Sequence, residues 1–312
     1  MLFSTKNDFD TTYGYMNILM YGLTIMTEKI IDVENLGFGY DNTNKNILNN
    51  INFSIYKGEI FGFLGPSGAG KSTTQKILYK LLNTFSGSIK INQKNIQSIG
   101  SEYYESIGVG FESPNHYLKL TGLENMQFFA SFYNIKTIKS FESLFALVGL
   151  EDAINNTVET YSKGMQMRLN YIRAIMHDPD MLFFDEPTAG LDPINAKIIK
   201  QHILKLKRTG KTVFITTHDM TIADQLCDRI AFLVDGEIIC IDQPKNLKKA
   251  HGKNAVRVDA INGQTKEFNI DGLGVNSEFL LFIKDNHLKS IKTLEASLED
   301  VFIKLTGKEL KK

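Results

Sequence analysis

From Lys29 onward, short runs of β-branched and aromatic residues alternate with stretches of helical periodicity, the pattern of a parallel sheet covered by helices. Eight runs read as strands: residues 30–33, 51–55, 60–64, 88–91, 181–184, 212–216, 230–233 and 238–241. The last two flank Val234-Asp235-Gly236-Glu237, and Asp-Gly between alternating runs predicts a tight hairpin. Residues from about 118 to 173 carry little strand pattern and read as a mainly helical insert. After Asp242-Gln243-Pro244 the composition shifts, with Lys245, Lys248, Lys249 and Lys253 around a helix end, and a smaller unit follows. That unit shows strand-like alternation at Val256-Arg257-Val258 and ends in a helix with a legible start. Ser297 and Asp300 have capping-box spacing, and Leu298, Val301, Phe302 and Leu305 lie at i, i+3, i+4 and i+7, so one face should be buried.

The apolar segment 16–26 is too short to span a bilayer and lacks the basic flank and cleavage site of a signal peptide. It reads as an extension ahead of a core that begins near Met26, in preference to an amphipathic membrane anchor. No other apolar stretch approaches the roughly twenty residues of a spanning helix; the most persistent is 279–283. The 312 residues suit about two domains. A composition of 43% hydrophobic and 22% charged residues is that of a folded chain. Thirty-five Lys and Arg balance thirty-five Asp and Glu, so no global positive field gathers nucleic acid. Two cysteines, Cys227 and Cys240, are too few to staple a secreted fold and lack metal-ligand spacing.

Candidate chemistry begins at Gly65-Pro66-Ser67-Gly68-Ala69-Gly70-Lys71-Ser72-Thr73, which follows an apolar run and precedes a helical pattern over 74–82. That is the strand, loop and helix context of a phosphate-binding loop. Glycines let successive backbone N–H groups turn inward around a phosphate, and the helix N-terminus adds positive potential. Lys71 is placed to reach the β- and γ-phosphates as a point charge, and the Ser72 hydroxyl to take a place on Mg²⁺. The loop specifies a nucleoside triphosphate without saying which one.

Met181-Leu182-Phe183-Phe184-Asp185-Glu186 is an apolar run closed by two carboxylates, as expected where a buried parallel strand ends at the catalytic edge of a sheet. Asp185 suits Mg²⁺, and Glu186 projects one residue further, toward an attacking water that it could orient or deprotonate. His218 closes another apolar run, Ile215-Thr216-Thr217, which should neighbour the acidic strand. A histidine at a strand end often serves structure alone, but a place beside the acidic strand suits a hydrogen bond to the γ-phosphate.

Tyr161-Ser162-Lys163-Gly164-Met165-Gln166, leading into a helix through Arg168, Leu169 and Arg173, resembles the signature loop of ATP-binding cassette (ABC) proteins. With Tyr40 ahead of the phosphate loop, Ala189-Gly190-Leu191-Asp192 after the acidic strand, and His218, the order resembles an ABC transporter nucleotide-binding subunit over about 29–248. The resemblance implies an α/β P-loop NTPase cassette with a β-rich N-terminal subdomain, a helical insert and a small C-terminal α+β extension. The corresponding bounds are an extension at 1–26, a cassette at 27–248 with its helical subdomain at about 113–173, and an accessory unit at 249–312.

It further implies that Tyr40 stacks on adenine, that Glu186 is the catalytic carboxylate and that His218 senses the γ-phosphate. Ser162, Lys163, Gly164 and Met165 would act on ATP bound to a second copy of the chain or a homologous subunit, with Asp192 in that interface. The implied cofactors are ATP and Mg²⁺. The implied partner is a separate transmembrane permease, which puts the chain at the cytoplasmic face of the membrane, with no nucleic acid involved.

Two departures stand out. The usual Leu-Ser-Gly-Gly-Gln has Lys163 and Met165 in its third and fifth places, a form similar to that of drug, antibiotic and lipid-linked-polysaccharide exporter ATPases. Glu112 stands where most of the family has glutamine, keeping an oxygen ligand for Mg²⁺ but adding negative charge. The segment through 120–125 and Phe128-Phe129 would form the groove for a permease helix, although Phe128, Phe129 and Phe132 also read as helix-core residues. The alternatives are a soluble non-transport ABC ATPase and a regulatory cassette protein. A single phosphate loop disfavours the two-cassette ribosomal kind, and the stretch from Lys71 to Asp185 is too short for the coiled coil of the DNA-repair kind.

Overall fold

The computed structural model describes residues 28–40, 46–133, 138–251, 255–294 and 296–307. The segment 16–26 and the N-terminal extension lie outside the described residues. The chain opens with β1 (Lys29–Gly39), β2 (Asn46–Tyr56), β3 (Ile60–Leu64), α1 (Lys71–Leu78), β4 (Ser86–Ile91), β5 (Lys94–Asn95), α2 (Glu102–Ser106) and β6 (Ile107–Gly110). The helical insert follows as α3 (Gly122–Ala130), α4 (Phe141–Leu147) and α5 (Lys163–Ile175). The chain returns through β7 (Met181–Asp185), α6 (Pro193–Arg208), β8 (Thr212–Thr217), α7 (Met220–Leu226), β9 (Arg229–Val234), β10 (Glu237–Asp242) and α8 (Pro244–His251). It closes with β11 (Ala255–Ala260), β12 (Thr265–Asn269), α9 (Ser277–Asp285), β13 (Leu288–Leu294) and α10 (Leu298–Thr306).

Three sheets result: an antiparallel sheet in the order β2-β1-β4-β5, a six-stranded sheet in the order β10-β9-β3-β8-β7-β6, and a small antiparallel sheet in the order β12-β11-β13. Within the second, β9, β3, β8, β7 and β6 are parallel and β10 returns as a hairpin. All eight strand candidates are present, most of them one to several residues longer at their ends. Central strands buried on both faces need apolar residues at every position, and β3 is buried throughout.

Side-chain alternation divides those strands between two cores. Ile60, Leu64, Leu182, Phe184, Val213, Ile215, Ile230 and Phe232 face the helices. Phe61, Phe63, Met181, Phe183, Phe214, Ala231 and Leu233 face the antiparallel sheet, where Phe53 stacks on Phe61 with centroids 5.7 Å apart.

The sequence pattern did not show β6, whose Ile-Gly-Val-Gly holds two glycines. A Cβ on Gly108 would sit 1.9 Å from the Ala174 carbonyl oxygen, so glycine is what lets α5 cross this edge strand closely. The helix after the phosphate loop begins at Lys71 and ends at Leu78, four residues short of the predicted end, where Lys80 turns left-handed at φ 60°.

In the C-terminal segment, Val256, Val258, Phe268 and Phe282 form a core of their own. α10 instead joins the cassette: Leu298, Val301 and Phe302 are buried in the helix-side core, and the Phe302 ring meets Phe232 of β9 edge-on at 5.2 Å. Its capping box is formed, with Ser297 Oγ accepting from the Asp300 amide at 3.1 Å. Phe302→Ala is expected to destabilise the whole cassette by about 3–5 kcal/mol, as for a buried aromatic elsewhere. Urea unfolding followed by far-UV circular dichroism should show a single shifted transition; an unshifted main transition would mean that α10 is not part of this core.

Candidate functional site

The parallel register delivers the chemistry to one edge. Leu64 pairs with Thr217, and Asp185 with Thr216, so the chain leaves β3, β7 and β8 at nearly the same level. From these ends come the phosphate loop, Glu186 and His218. A cavity of about 500 Å³ lies there, lined by Tyr40, Pro66, Ser67, Gly68, Gly70, Lys71, Ser72, Thr73, Glu112, Asp185, Glu186 and His218, together with Ile47. Twelve residues singled out in the sequence therefore meet in one cavity, and Ile47 is the addition.

Gly65 and Ala69 shape the loop from behind. A Cβ on Gly65 would lie 2.0 Å from the Leu233 carbonyl oxygen. The Ala69 carbonyl accepts from the Gly236 amide at 3.2 Å, so the β9–β10 hairpin props the phosphate loop. Gly236 needs to be glycine there, with φ 81° and a Cβ position only 2.3 Å from the Ile47 carbonyl oxygen. Gln75 in α1 donates to the Phe184 carbonyl at 3.0 Å and ties the loop's helix to the acidic strand. Its polar side chain inside a helical pattern carried no signal of that role.

The Lys71 ammonium donates to the Gly65 and Pro66 carbonyls at 2.8 and 3.0 Å. Burial pushes its pKa down, while the carboxylates of Glu186, Asp185 and Glu112 push it back up. Asp185 accepts a hydrogen bond from the Thr216 hydroxyl. Glu186 takes a left-handed φ of 49°, a conformation that costs a non-glycine residue about 1–3 kcal/mol. Its carboxylate is buried and accepts three bonds: from Thr217 Oγ1 at 2.9 Å, from the His218 amide at 2.8 Å and from His218 Nδ1 at 2.5 Å. His218 thus has its Nδ1 proton committed to Glu186, which fixes the ring.

The donor set at this edge, Ser72, Glu112 and Asp185, offers oxygen only, which suits a hard cation such as Mg²⁺. Among the described residues no group of three or more His, Cys, Asp and Glu side chains forms a ready metal cage. A cation here would share its coordination with phosphate oxygens, as is usual for Mg²⁺.

Ser162, Lys163, Gly164, Met165 and Asp192 lie outside this cavity. Ser162 is the N-cap of α5, its Oγ accepting from the Met165 amide at 3.2 Å. Gly164 sits beside the Gly190 carbonyl, and the Lys163 stem covers Gly190. Asp192 caps α6, accepting from the Ile194 and Asn195 amides at 3.0 and 3.1 Å, and the bond from the Asn195 side chain, followed by these amide bonds, lowers its pKa. These five residues therefore form a second cluster at two adjacent helix starts.

The ABC transporter family pattern matches residues 48–189. A fluoroquinolones export ATP-binding protein of Mycobacterium tuberculosis is 48% identical over 286 residues, 90% of this chain and 95% of that protein. The bacitracin transport ATP-binding protein of Enterococcus faecalis is 33% identical over 231 residues, 74% of this chain and 73% of that protein. A solved dimeric ATP-binding cassette, in a post-hydrolysis state bound to ADP and phosphate, is 28% identical with a TM-score of 0.63, covering 68% of this chain and 98% of that one. This chain belongs to the ATP-binding cassette ATPases of the ABC transporter family. Lys71→Ala is expected to weaken ATP binding about tenfold to a hundredfold, the loss of one charge-assisted contact of about 1.5–3 kcal/mol. Titration with a fluorescent ATP analogue measures it, and wild-type affinity would remove Lys71 from the site.

Proposed function

We propose that this chain is the ATP-hydrolysing subunit of an exporter, powering a separate membrane permease from the cytoplasmic face of the membrane. The observation that carries the reading is the convergence of the phosphate loop, Asp185, Glu186 and His218 on one cavity. Relatives named for fluoroquinolone export and bacitracin transport support the exporter reading, as does the Ser-Lys-Gly-Met form of the signature loop. Among the described residues no helix is long and apolar enough to cross a membrane, which is consistent with a permease on another chain.

In this reading Tyr40 stacks on the adenine, a contact tolerant of base identity. The backbone N–H groups of the loop 65–73, Pro66 having none, cradle the phosphates, Lys71 meets the β- and γ-phosphates, and Ser72, Asp185 and Glu112 would hold Mg²⁺. Magnesium, when bound, neutralises charge on the phosphate oxygens. Glu186 orients the attacking water and takes its proton, and His218 turns its ring proton from Glu186 to the γ-phosphate, which leaves a carboxylate oxygen for that water. Two copies, or one copy and a homologous subunit, pair head to tail so that Ser162, Lys163, Gly164 and Met165 of each close on the partner's ATP, with Asp192 at the seam. That arrangement accounts for a signature cluster set outside the chain's own cavity. ATP-driven closure and reopening after hydrolysis would then drive the permease.

Glu186→Gln is expected to bind ATP normally, to accumulate as a dimer on gel filtration with ATP and Mg²⁺, and to lose turnover by at least a hundredfold. Undiminished phosphate release by this variant would sink the role assigned to Glu186. Co-purification with a multi-span membrane protein checks the partner, and recovery of a substrate-binding lipoprotein in the same complex would overturn export.

A further inference from the structure

The nucleotide cavity is short of positive charge. Among the described residues that line it, Glu112, Asp185 and Glu186 bring carboxylates and Lys71 alone brings an ammonium. That ammonium is already engaged by the Gly65 and Pro66 carbonyls, and burial pushes its pKa down against the pull of the three carboxylates. A nucleoside triphosphate carries more negative charge than one Mg²⁺ ion offsets, so the loaded cavity keeps a surplus. In a site partly shielded from water, that surplus opposes the charge that builds on the γ-phosphate oxygens in the transition state.

Lys163 is a cation placed where its own helix gains nothing from it. It is the first residue of α5, directly after the N-cap Ser162, and the N-terminal end of a helix favours negative charge over positive. The residue is exposed and lies outside the chain's own cavity. Among the described residues its ammonium makes no hydrogen bond or ion pair. The neighbouring carboxylate, Asp192, is taken up instead by the Ile194 and Asn195 amides and the Asn195 side chain. Yet the stem is not loose. A Cβ on Gly190 would lie 3.5 Å from Lys163 Cε and 3.7 Å from its Cδ, so the stem runs across this left-handed turn, φ 72°. Such packing restricts its rotamers before any contact is made and lowers the entropic cost of making one. Solubility alone explains neither the position, which works against the helix, nor the packed stem.

We infer that Lys163 is a catalytic residue acting in trans: on pairing, its ammonium enters the cavity of the second copy and offsets the surplus negative charge there, between Glu112 and the γ-phosphate. The inference deepens the head-to-tail pairing proposed above and rests on it. Each chain then carries a cation that its own cavity cannot reach, and each cavity lacks a cation until a second copy supplies one. Delivered as closure excludes water, that charge is worth more than it would be in solvent. A cation supplied by a second protein has the same electrostatic effect in other phosphoryl-transfer enzymes. Glu112 sets the need, because without its charge the cavity is nearer balance.

The test uses the purified full-length chain. Lys163→Gln should have a Tm equal to or above that of the unmodified chain, since a cation leaves a helix N-terminus, and should bind a fluorescent ATP analogue within about twofold. Its kcat should fall by about tenfold or more, while Lys163→Arg, which keeps the charge, stays within about threefold. In a Glu112→Gln background the loss from Lys163→Gln should shrink below about threefold, the mark of two charges that act on each other. Mixing tests the action in trans. Lys163→Gln chains combined with Lys71→Ala chains, at ATP that saturates the former, should release phosphate about twofold or more faster than the sum of the two alone, because the intact loop of one then meets the intact lysine of the other. Full kcat in Lys163→Gln, an undiminished loss in the Glu112→Gln background, or no gain on mixing overturns the inference and leaves the ATPase reading standing. A kcat loss that merely follows a lowered Tm overturns it too, as the mark of a structural role. Binding without any hydrolysis by the unmodified chain overturns the ATPase reading and the inference together.

Discussion

The structure depends on a parallel sheet that must bury both of its faces. Because successive side chains on β3, β7, β8 and β9 point to opposite sides, the same strands fill a helix-side core and a sheet-side core. Burial on both sides fixes register strongly, since a slip of one residue would send every side chain into the wrong core. With register fixed, the strand ends are level, and Gly65, Glu186 and His218 emerge together despite lying far apart in the chain. The cassette's chemistry is in this sense a by-product of its packing.

Around that edge the site is held under tension. Glu112, Asp185 and Glu186 face a single buried Lys71, an excess of negative charge that suits a divalent cation arriving with its phosphates. Glu186 is strained in its backbone and fully engaged in its side chain by Thr217 and His218. A carboxylate so placed can take part in proton transfer only by exchanging one of these bonds for a water. In the proposed mechanism that exchange belongs to the closed dimer, where His218 turns its attention to the γ-phosphate.

The accessory segment adds a different lesson in packing. Its three strands and α9 keep a separate small core, yet its last helix crosses back into the cassette beside α7 and α8. The apolar face of α10 was visible as periodicity, whereas its partner surface was not. Phe232, the ring that receives Phe302, sits on a strand whose own pattern said only that it was buried.

Much of the cassette was legible because its signals are local. The phosphate loop, the acidic strand end, the Asp-Gly hairpin and the Ser297 capping box each follow from the φ/ψ freedom or hydrogen-bonding capacity of a few adjacent residues. What escaped has its cause in long-range contact. β6 is a strand because α5 crosses it at Gly108, Gln75 matters because Phe184 offers it a carbonyl, and Ile47 lines the cavity because β2 runs past the loop. By itself the sequence determined the class of chemistry, since glycines, a lysine and carboxylates in that order admit few other uses. Only the tertiary structure decided which side chains hold those groups in place: Asn170 and Arg173 meet the Glu112 loop across some sixty residues of chain, and no local periodicity encodes a contact between two segments that only folding brings together.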